Sequence, residues 1–136
     1  MDANETKHRG TVMIVDDDAA VRDSLSTLLE AYELGVEAYE SIATFKQAYR
    51  PHSLSCLILD QHMPVTSGLE FLASPEGKRL SLPVILITAQ SDDDIRAKAK
   101  ELGVFAFLTK PVAGDELMAV IGNAIDYSAA KQPHAS

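Results

Sequence analysis

Two acidic groups stand directly behind apolar runs: Asp16-Asp17-Asp18 follows Val12-Met13-Ile14-Val15, and Asp60 follows Cys56-Leu57-Ile58-Leu59. If both runs are strands of one sheet, their carboxylates meet at the same edge, and charge packed that tightly calls for a cation. Two more polar residues end apolar runs in the same way. Thr88 closes Val84-Ile85-Leu86-Ile87, and Lys110 lies just beyond the stretch from Val104 to Leu108. A lone aspartate after a strand would be read as a helix cap or turn former. Pro64, four residues after Asp60, and the other strand-end groups favour a chemical site instead.

The elements that must position these groups are legible from periodicity. Val12 to Val15, Leu57 to Leu59 and Val84 to Ile87 are short, continuous apolar runs rich in β-branched residues, the pattern of strands buried on both faces of a parallel sheet. Val21, Leu25, Leu28 and Leu29 keep helical spacing, and Gly35 follows Leu34 where a left-handed cap would sit, which predicts a first helix over 19–34. Val36 to Tyr39 suits an edge strand. Ser41 then caps a helix that buries Ile42, Phe45 and Tyr49 and ends at Pro51. Ser67 caps a short helix carrying Leu69 and Leu72, and the polar stretch containing Pro75, Gly77 and Pro83 reads as a loop without a period. Ser91 with Asp94 makes a capping box for a helix ending at Gly103. Val104 to Leu108 reads as the fifth strand, and Leu117, Val120, Ile121, Ala124 and Ile125 mark the last helix.

Five strands alternating with five helices predict a three-layer α/β/α sandwich, although periodicity leaves the strand order open. In open sheets of this class function gathers beyond the carboxyl ends of the strands, where Asp16, Asp17, Asp60, Thr88 and Lys110 converge. Residues 1–10 read as a disordered segment, 11–126 as one domain, and 127–136 as a flexible tail.

Composition narrows the function classes. The chain has 136 residues, 46% of them hydrophobic, which suffices for one core burying roughly two thirds of the extended surface. Lys and Arg number 12 against 20 Asp and Glu, and the formal charge of −8 argues against nucleic-acid binding by this chain alone, which would need cations to neutralise phosphates. Proteins and small ions are the expected partners. The single cysteine, Cys56, excludes an internal disulfide and reads as a buried free thiol. No apolar stretch approaches the ~20 residues that span a bilayer, and residues 1–10 are unlike a signal peptide, so no membrane contact and a cytoplasmic location are expected.

These residues resemble the receiver domain of two-component response regulators. The likeness covers residues 11–126 and rests on four motifs in order: Val15-Asp16-Asp17-Asp18, Asp60-Gln61-His62-Met63-Pro64 with Gly68, Thr88-Ala89, and Lys110-Pro111. It implies a flavodoxin-like, doubly wound, parallel five-stranded sheet in the order 2-1-3-4-5. It also implies that Asp60 accepts a phosphoryl group from the histidine of a sensor kinase or phosphotransfer protein. On this likeness the chain is a stand-alone, phosphorylation-controlled binding module and not an enzyme, catalysing only its own phosphoryl transfer and autodephosphorylation.

The same resemblance assigns roles. Mg2+ (or Mn2+) would be held by Asp17 and Asp60, by Asp16 through water, and by the backbone carbonyl of His62, and would neutralise the phosphoryl oxygens. Lys110 would pair with a phosphoryl oxygen, and Pro111 restricts its backbone to extended geometry. Thr88, with the small Ala89 beside it, matches the switch position, and Phe107 matches the aromatic that follows it. Phosphorylation would then favour one of two packings of a face made by the fourth predicted helix, the fifth strand and the last helix, which binds a downstream protein. The family leaves room for a homodimer through that face. Asp18 reads as a cap of the first helix and stays outside the metal set.

Two departures from the family pattern stand out. Val112 occupies a position where phenylalanine is usual, and Ala113 with Gly114 replaces the usual capping residue, so a looser start to the last helix is expected. His62 and Gln90 sit at positions that tune the lifetime of the phosphoryl bond. The plainer reading of the His62 side chain is a solvent-facing loop group, against a sharper one in which it positions water or moves a proton. Other functions are weighed on the same residues. A magnesium-dependent aspartyl-phosphate phosphatase would want an acid two residues after the nucleophile, where His62 stands. A flavodoxin would find its phosphate repelled by Asp16 to Asp18. The chain is also consistent with a receiver cut from a DNA-binding transcription regulator.

Overall fold

The computed structural model describes residues 10–50, 54–90 and 92–131. The elements run β1 (Thr11–Val15), α1 (Ala19–Ala31), β2 (Gly35–Tyr39), α2 (Ile42–Ala48), β3 (Ser55–Asp60) and α3 (Gly68–Ala73). They continue with α4 (Pro75–Lys78), β4 (Val84–Thr88), α5 (Asp93–Glu101), β5 (Ala106–Thr109) and α6 (Gly114–Lys131). The five strands form one sheet in the order β2-β1-β3-β4-β5, every neighbouring pair parallel. The three central strands are the continuous apolar runs, buried along most or all of their length, whereas β2 and β5 lie at the edges and are only partly buried.

Side-chain alternation splits the interior into two cores, one on each face of the sheet. Val12, Ile14, Cys56, Ile58, Ile85 and Ile87 pack against Leu29 of α1 and Leu117, Ile121 and Ile125 of α6. Met13, Val15, Leu57, Leu59 and Leu86 pack against Phe45 of α2, Phe71 and Leu72 of α3 and Ala99 of α5. These are the three layers expected. Register then sets the height of each strand end: Val15 lies opposite Leu59, Asp60 opposite Ile87, and Thr88 opposite Thr109. Asp16 and Asp60 therefore leave the sheet at one level, with Thr88 one step and Lys110 two steps further along.

Local signals mostly stop and start the helices as expected. Asp18 caps α1, accepting from the amides of Ala20 and Val21. Ser41 caps α2 through the amide of Thr44. Ser67 and Glu70 form a reciprocal capping box on α3. The fifth strand starts at Ala106, not Val104, because the Val104 amide still bonds the Ala99 carbonyl at the end of α5. Four details of the helices also differ from the sequence reading. The first helix ends at Ala31, not Leu34, because Glu33 takes the left-handed conformation (φ 65°). The amides of Glu33 and Leu34 then bond the carbonyls of Glu30 and Leu29, and Leu34 joins Leu29 in the core, so the stop needs no glycine. Gly35 is instead the first residue of β2.

Second, Ser91 lies outside the described residues, and the cap of α5 is Asp92, which accepts from Asp94 and Ile95. That helix ends at Glu101, with Gly103 (φ 80°) in the left-handed position behind it. Third, the expected loop after α3 contains a one-turn helix, α4, capped by Ser74 with Pro75 at its first position. Gly77 in that turn sits where a Cβ would fall 2.0 Å from the Phe71 carbonyl oxygen, so α3 and α4 pack backbone to backbone. Fourth, α6 continues through Lys131, so residues 127–131 of the expected tail are helical. Tyr127 stacks on Phe105, and the buried Ser128 accepts from the Ser55 amide. The N-terminal segment up to residue 9, Pro51, and residues 132–136 lie outside the described residues.

One residue pays no regard to these preferences. Val65, in the loop between β3 and α3, has φ 72° with its side chain fully exposed. The Thr66 amide bonds the Pro64 carbonyl across it, closing a three-residue turn of the strained kind. A β-branched residue there costs on the order of 1–3 kcal/mol. Replacing it with glycine should raise stability by about 1 kcal/mol and the melting temperature by a few degrees, part of the relief being lost to chain entropy. Calorimetry on Val65→Gly checks this, and a lowered melting temperature would show the turn to be unstrained.

Candidate functional site

The strand ends form a rim in which like charges are held unusually close. Asp16 and Asp60 are each only 4% exposed, whereas Asp17 is exposed, yet carboxylate oxygens of all three lie within 4.8 Å of one another. Lys110 reaches in from the end of β5, its Nζ 3.4 Å from Asp60 Oδ1 and 3.5 Å from Asp16 Oδ2. Its backbone amide bonds the Thr88 carbonyl, which fixes the residue beside β4. The Lys110–Pro111 peptide is cis. Three carboxylates thus face one ammonium.

Each acid has a different fate. Asp16 Oδ1 accepts from the Asp18 amide, and its carbonyl accepts from the Arg22 guanidinium, so residue 16 is tied to the start of α1. Asp18 spends its carboxylate on the α1 cap, as its sequence position suggested. Asp60 Oδ1 is buried and receives no hydrogen bond; Lys110 lies at ion-pair distance without hydrogen-bond geometry. A buried acceptor left so, between two further carboxylates, fits a hard cation with oxygen ligands. Asp16, Asp17 and Asp60 are the residues that can hold it.

Burial is the main force pushing the Asp60 carboxyl above its ordinary range, and the negative charge of Asp16 adds to it. Lys110 and the His62 amide pull the other way without cancelling it. Burial also works against the charge of Lys110, but the carboxylates of Asp16 and Asp60 outweigh it and hold the ammonium above its usual value.

Backbone packing seats the acceptor loop. Gly68 opens α3, and a Cβ there would lie 2.8 Å from the Asp60 carbonyl oxygen, so only glycine lets the helix approach so closely. Gln61, buried although polar, accepts from the Leu69 amide and ties the residue after Asp60 to α3. Periodicity carries no signal for Gln61, which the sequence reading passed over.

Thr88 is wholly buried at the end of β4. Its hydroxyl meets His62 Nε2 at 2.8 Å and accepts from the Gln90 amide at 3.2 Å. His62 is therefore exposed but not simply solvent-facing as expected: one ring nitrogen is engaged on Thr88. Gln90 reaches the same hydroxyl through its backbone and not its side chain. Phe107, half-buried on β5, carries the guanidinium of Arg96 from α5 over its ring at 4.6 Å from the centroid.

A family model, the response regulator receiver domain, matches residues 12–122. The chain belongs to that family. It is 34% identical over 117 residues to the transcriptional regulatory protein FixJ of Bradyrhizobium diazoefficiens, covering 86% of this chain and 57% of that protein. It is 35% identical over 125 residues to the transcriptional regulatory protein TdiR of Thauera aromatica, covering 92% and 55%. The receiver thus spans about half the length of these curated relatives. Among solved structures, full-length FixJ from B. japonicum superposes with a TM-score of 0.80 at 33% identity, over 90% of this chain and 60% of that one. A response regulator receiver domain protein from Clostridium thermocellum gives 0.78 at 25% identity, over 90% and 99%.

Val112, just behind Lys110-Pro111, packs beside the rim. It lines an apolar cleft of about 570 Å³ between α1 and α6, whose wall includes Val21, Leu25 and Leu117 and whose rim includes Lys110 and Asp16. Cys56 has no part in the chemistry: burial pushes its thiol up to about 12, and it stays protonated.

Because the Asp60 pKa is raised by folding, ionising it opposes the folded state, and that cost sets in as pH rises through its folded-state value. Asp60→Asn should therefore melt at a higher temperature than wild type at pH 7. The difference should narrow as the pH falls into the ordinary aspartate range of about 4. Melting curves across pH decide it; equal stability at pH 7 would mean the repulsion is already compensated.

Proposed function

We propose that this receiver takes a phosphoryl group on Asp60 from a phosphohistidine of a sensor kinase or histidine phosphotransfer protein. The observation that carries this reading is Lys110 Nζ held between Asp60 and Asp16 in a three-carboxylate rim, with the Thr88 hydroxyl at the end of the adjoining strand. An Asp60 oxygen attacks phosphorus, the P–N bond to the donor imidazole breaks, and the released ring nitrogen takes a proton from solvent. Asp16, Asp17, Asp60 and the His62 carbonyl would hold Mg2+ (or Mn2+). When bound, that ion supplies charge neutralisation to the phosphoryl oxygens. Lys110 is already close enough to pair with one of those oxygens. Thr88 then turns its hydroxyl toward the phosphoryl group, and Phe107 follows it inward.

The output of that step is a repacked surface on α5, β5 and α6, which binds a downstream protein in the cytoplasm, with a homodimer through the same face as one form of it. No reaction on outside substrates is proposed beyond phosphoryl transfer to Asp60 and its hydrolysis. A second reading is favoured by the comparison itself: the matched relatives are transcriptional regulators about twice the length matched here, so the same chemistry would serve as the input half of such a regulator.

Incubation with acetyl phosphate and magnesium should give one base-labile phosphoryl adduct by intact mass, absent from Asp60→Asn. A wild type that stays unmodified sinks the acceptor reading, and turnover of p-nitrophenyl phosphate would favour a phosphatase. Millimolar magnesium should also raise the melting temperature, since it binds the folded rim and relieves repulsion among Asp16, Asp17 and Asp60. Asp17→Asn should blunt that shift. A shift unchanged in the variant would place the ion elsewhere.

A further inference from the structure

The contact between His62 and Thr88 joins two residues whose roles are otherwise separate. Thr88 Oγ1 is completely buried, and among the described residues it has two partners: the Gln90 amide at 3.2 Å and His62 Nε2 at 2.8 Å. The amide can only donate, so it occupies one lone pair of the hydroxyl. The ring nitrogen is the shorter contact, and whichever of the two atoms donates, it restrains the side-chain torsion that places the hydroxyl oxygen. His62, in contrast, is an exposed side chain on the loop after β3, and it can leave for solvent at little cost. A buried hydroxyl cannot leave; it can only exchange one partner for another.

We propose that His62 is a positioning residue for Thr88, holding the hydroxyl in the resting state and releasing it when a phosphoryl group on Asp60 claims it. The proposal rests on the phosphoacceptor reading of Asp60 and deepens it. Because His62 lies two residues after Asp60, the same loop carries both the acceptor and the group that restrains the switch. Phosphorylation therefore has to break the His62 contact for Thr88 to turn, and by favouring the resting state the contact lowers the apparent affinity of the receiver for a phosphoryl group or its mimic. Removing one ordinary hydrogen bond from the resting state should shift that balance roughly two- to tenfold.

The test uses beryllofluoride with magnesium as a phosphoryl mimic, its dissociation constant measured by calorimetry on the whole chain. His62→Ala should bind it two- to tenfold more tightly than wild type. His62→Gln, whose amide reaches as far as the imidazole, should return toward the wild-type value. In a Thr88→Ala background the effect of His62→Ala should vanish, because the partner is gone. A merely structural role for His62 would instead weaken binding, or change it equally with and without Thr88. Unchanged or weakened binding in His62→Ala, or the same change in the Thr88→Ala background, overturns the proposal. Failure of the wild type to bind beryllofluoride at all would overturn the acceptor reading and this inference together, an outcome distinct from the first.

Discussion

Parallel register is the constraint on which everything else in this molecule depends. Val15 opposite Leu59 and Asp60 opposite Ile87 force two buried carboxylates to leave the sheet at one height, where Coulomb repulsion and lost hydration both act against them. The fold tolerates this only because β5 delivers Lys110 to the same place and because the central strands are apolar along their length. Sheet stability is generated on the two faces, by separate cores, and part of it is given up at the rim. Such a distribution is common where a protein needs charged groups kept reactive and dry.

The alternation that builds the two cores also sorts the rim. Asp16, Asp60 and Lys110 continue the parity of Ile14, Ile58 and Leu108, which face α1 and α6; Thr88 continues that of Leu86, which faces α2, α3 and α5. Phe107 belongs to the second face as well. The carboxylates and the Thr88 hydroxyl thus belong to opposite faces of one sheet and meet only at its rim. His62 crosses over from the acceptor loop to meet that hydroxyl.

Much of this was legible in the chain. Three apolar runs marked the central strands because a strand buried on both faces has no polar residues to hide it. Strand order was not legible from periodicity, since order depends on crossovers and not on residues; it came from the likeness to receivers, and the sheet agrees with it. The misreadings have local causes. Gly35 looked like a helix stop, but Glu33 bore the left-handed turn because burying Leu34 against Leu29 repays it. A one-turn helix such as α4 has no period to detect, and its Ser74-Pro75 start was the only signal. The cap of α5 moved one residue to Asp92, as neighbouring capping types readily allow. At the site, Asp16, Asp17, Asp60 and Lys110 meet as expected. The His62–Thr88 contact was invisible because it spans 26 positions and involves a loop side chain whose rotamer no pattern encodes.

Arg96 over Phe107 bears on a different hazard. β5 is an edge strand, so one row of its amides and carbonyls has no neighbouring strand, and an aromatic side chain on such an edge invites pairing with another chain. A guanidinium laid across that ring keeps a charge beside the aromatic, which disfavours close approach by a second sheet. The strand is also only four residues long. Protection of this edge thus leans on one pair of side chains, and a change that drew the guanidinium off the ring would uncover a seed for aggregation.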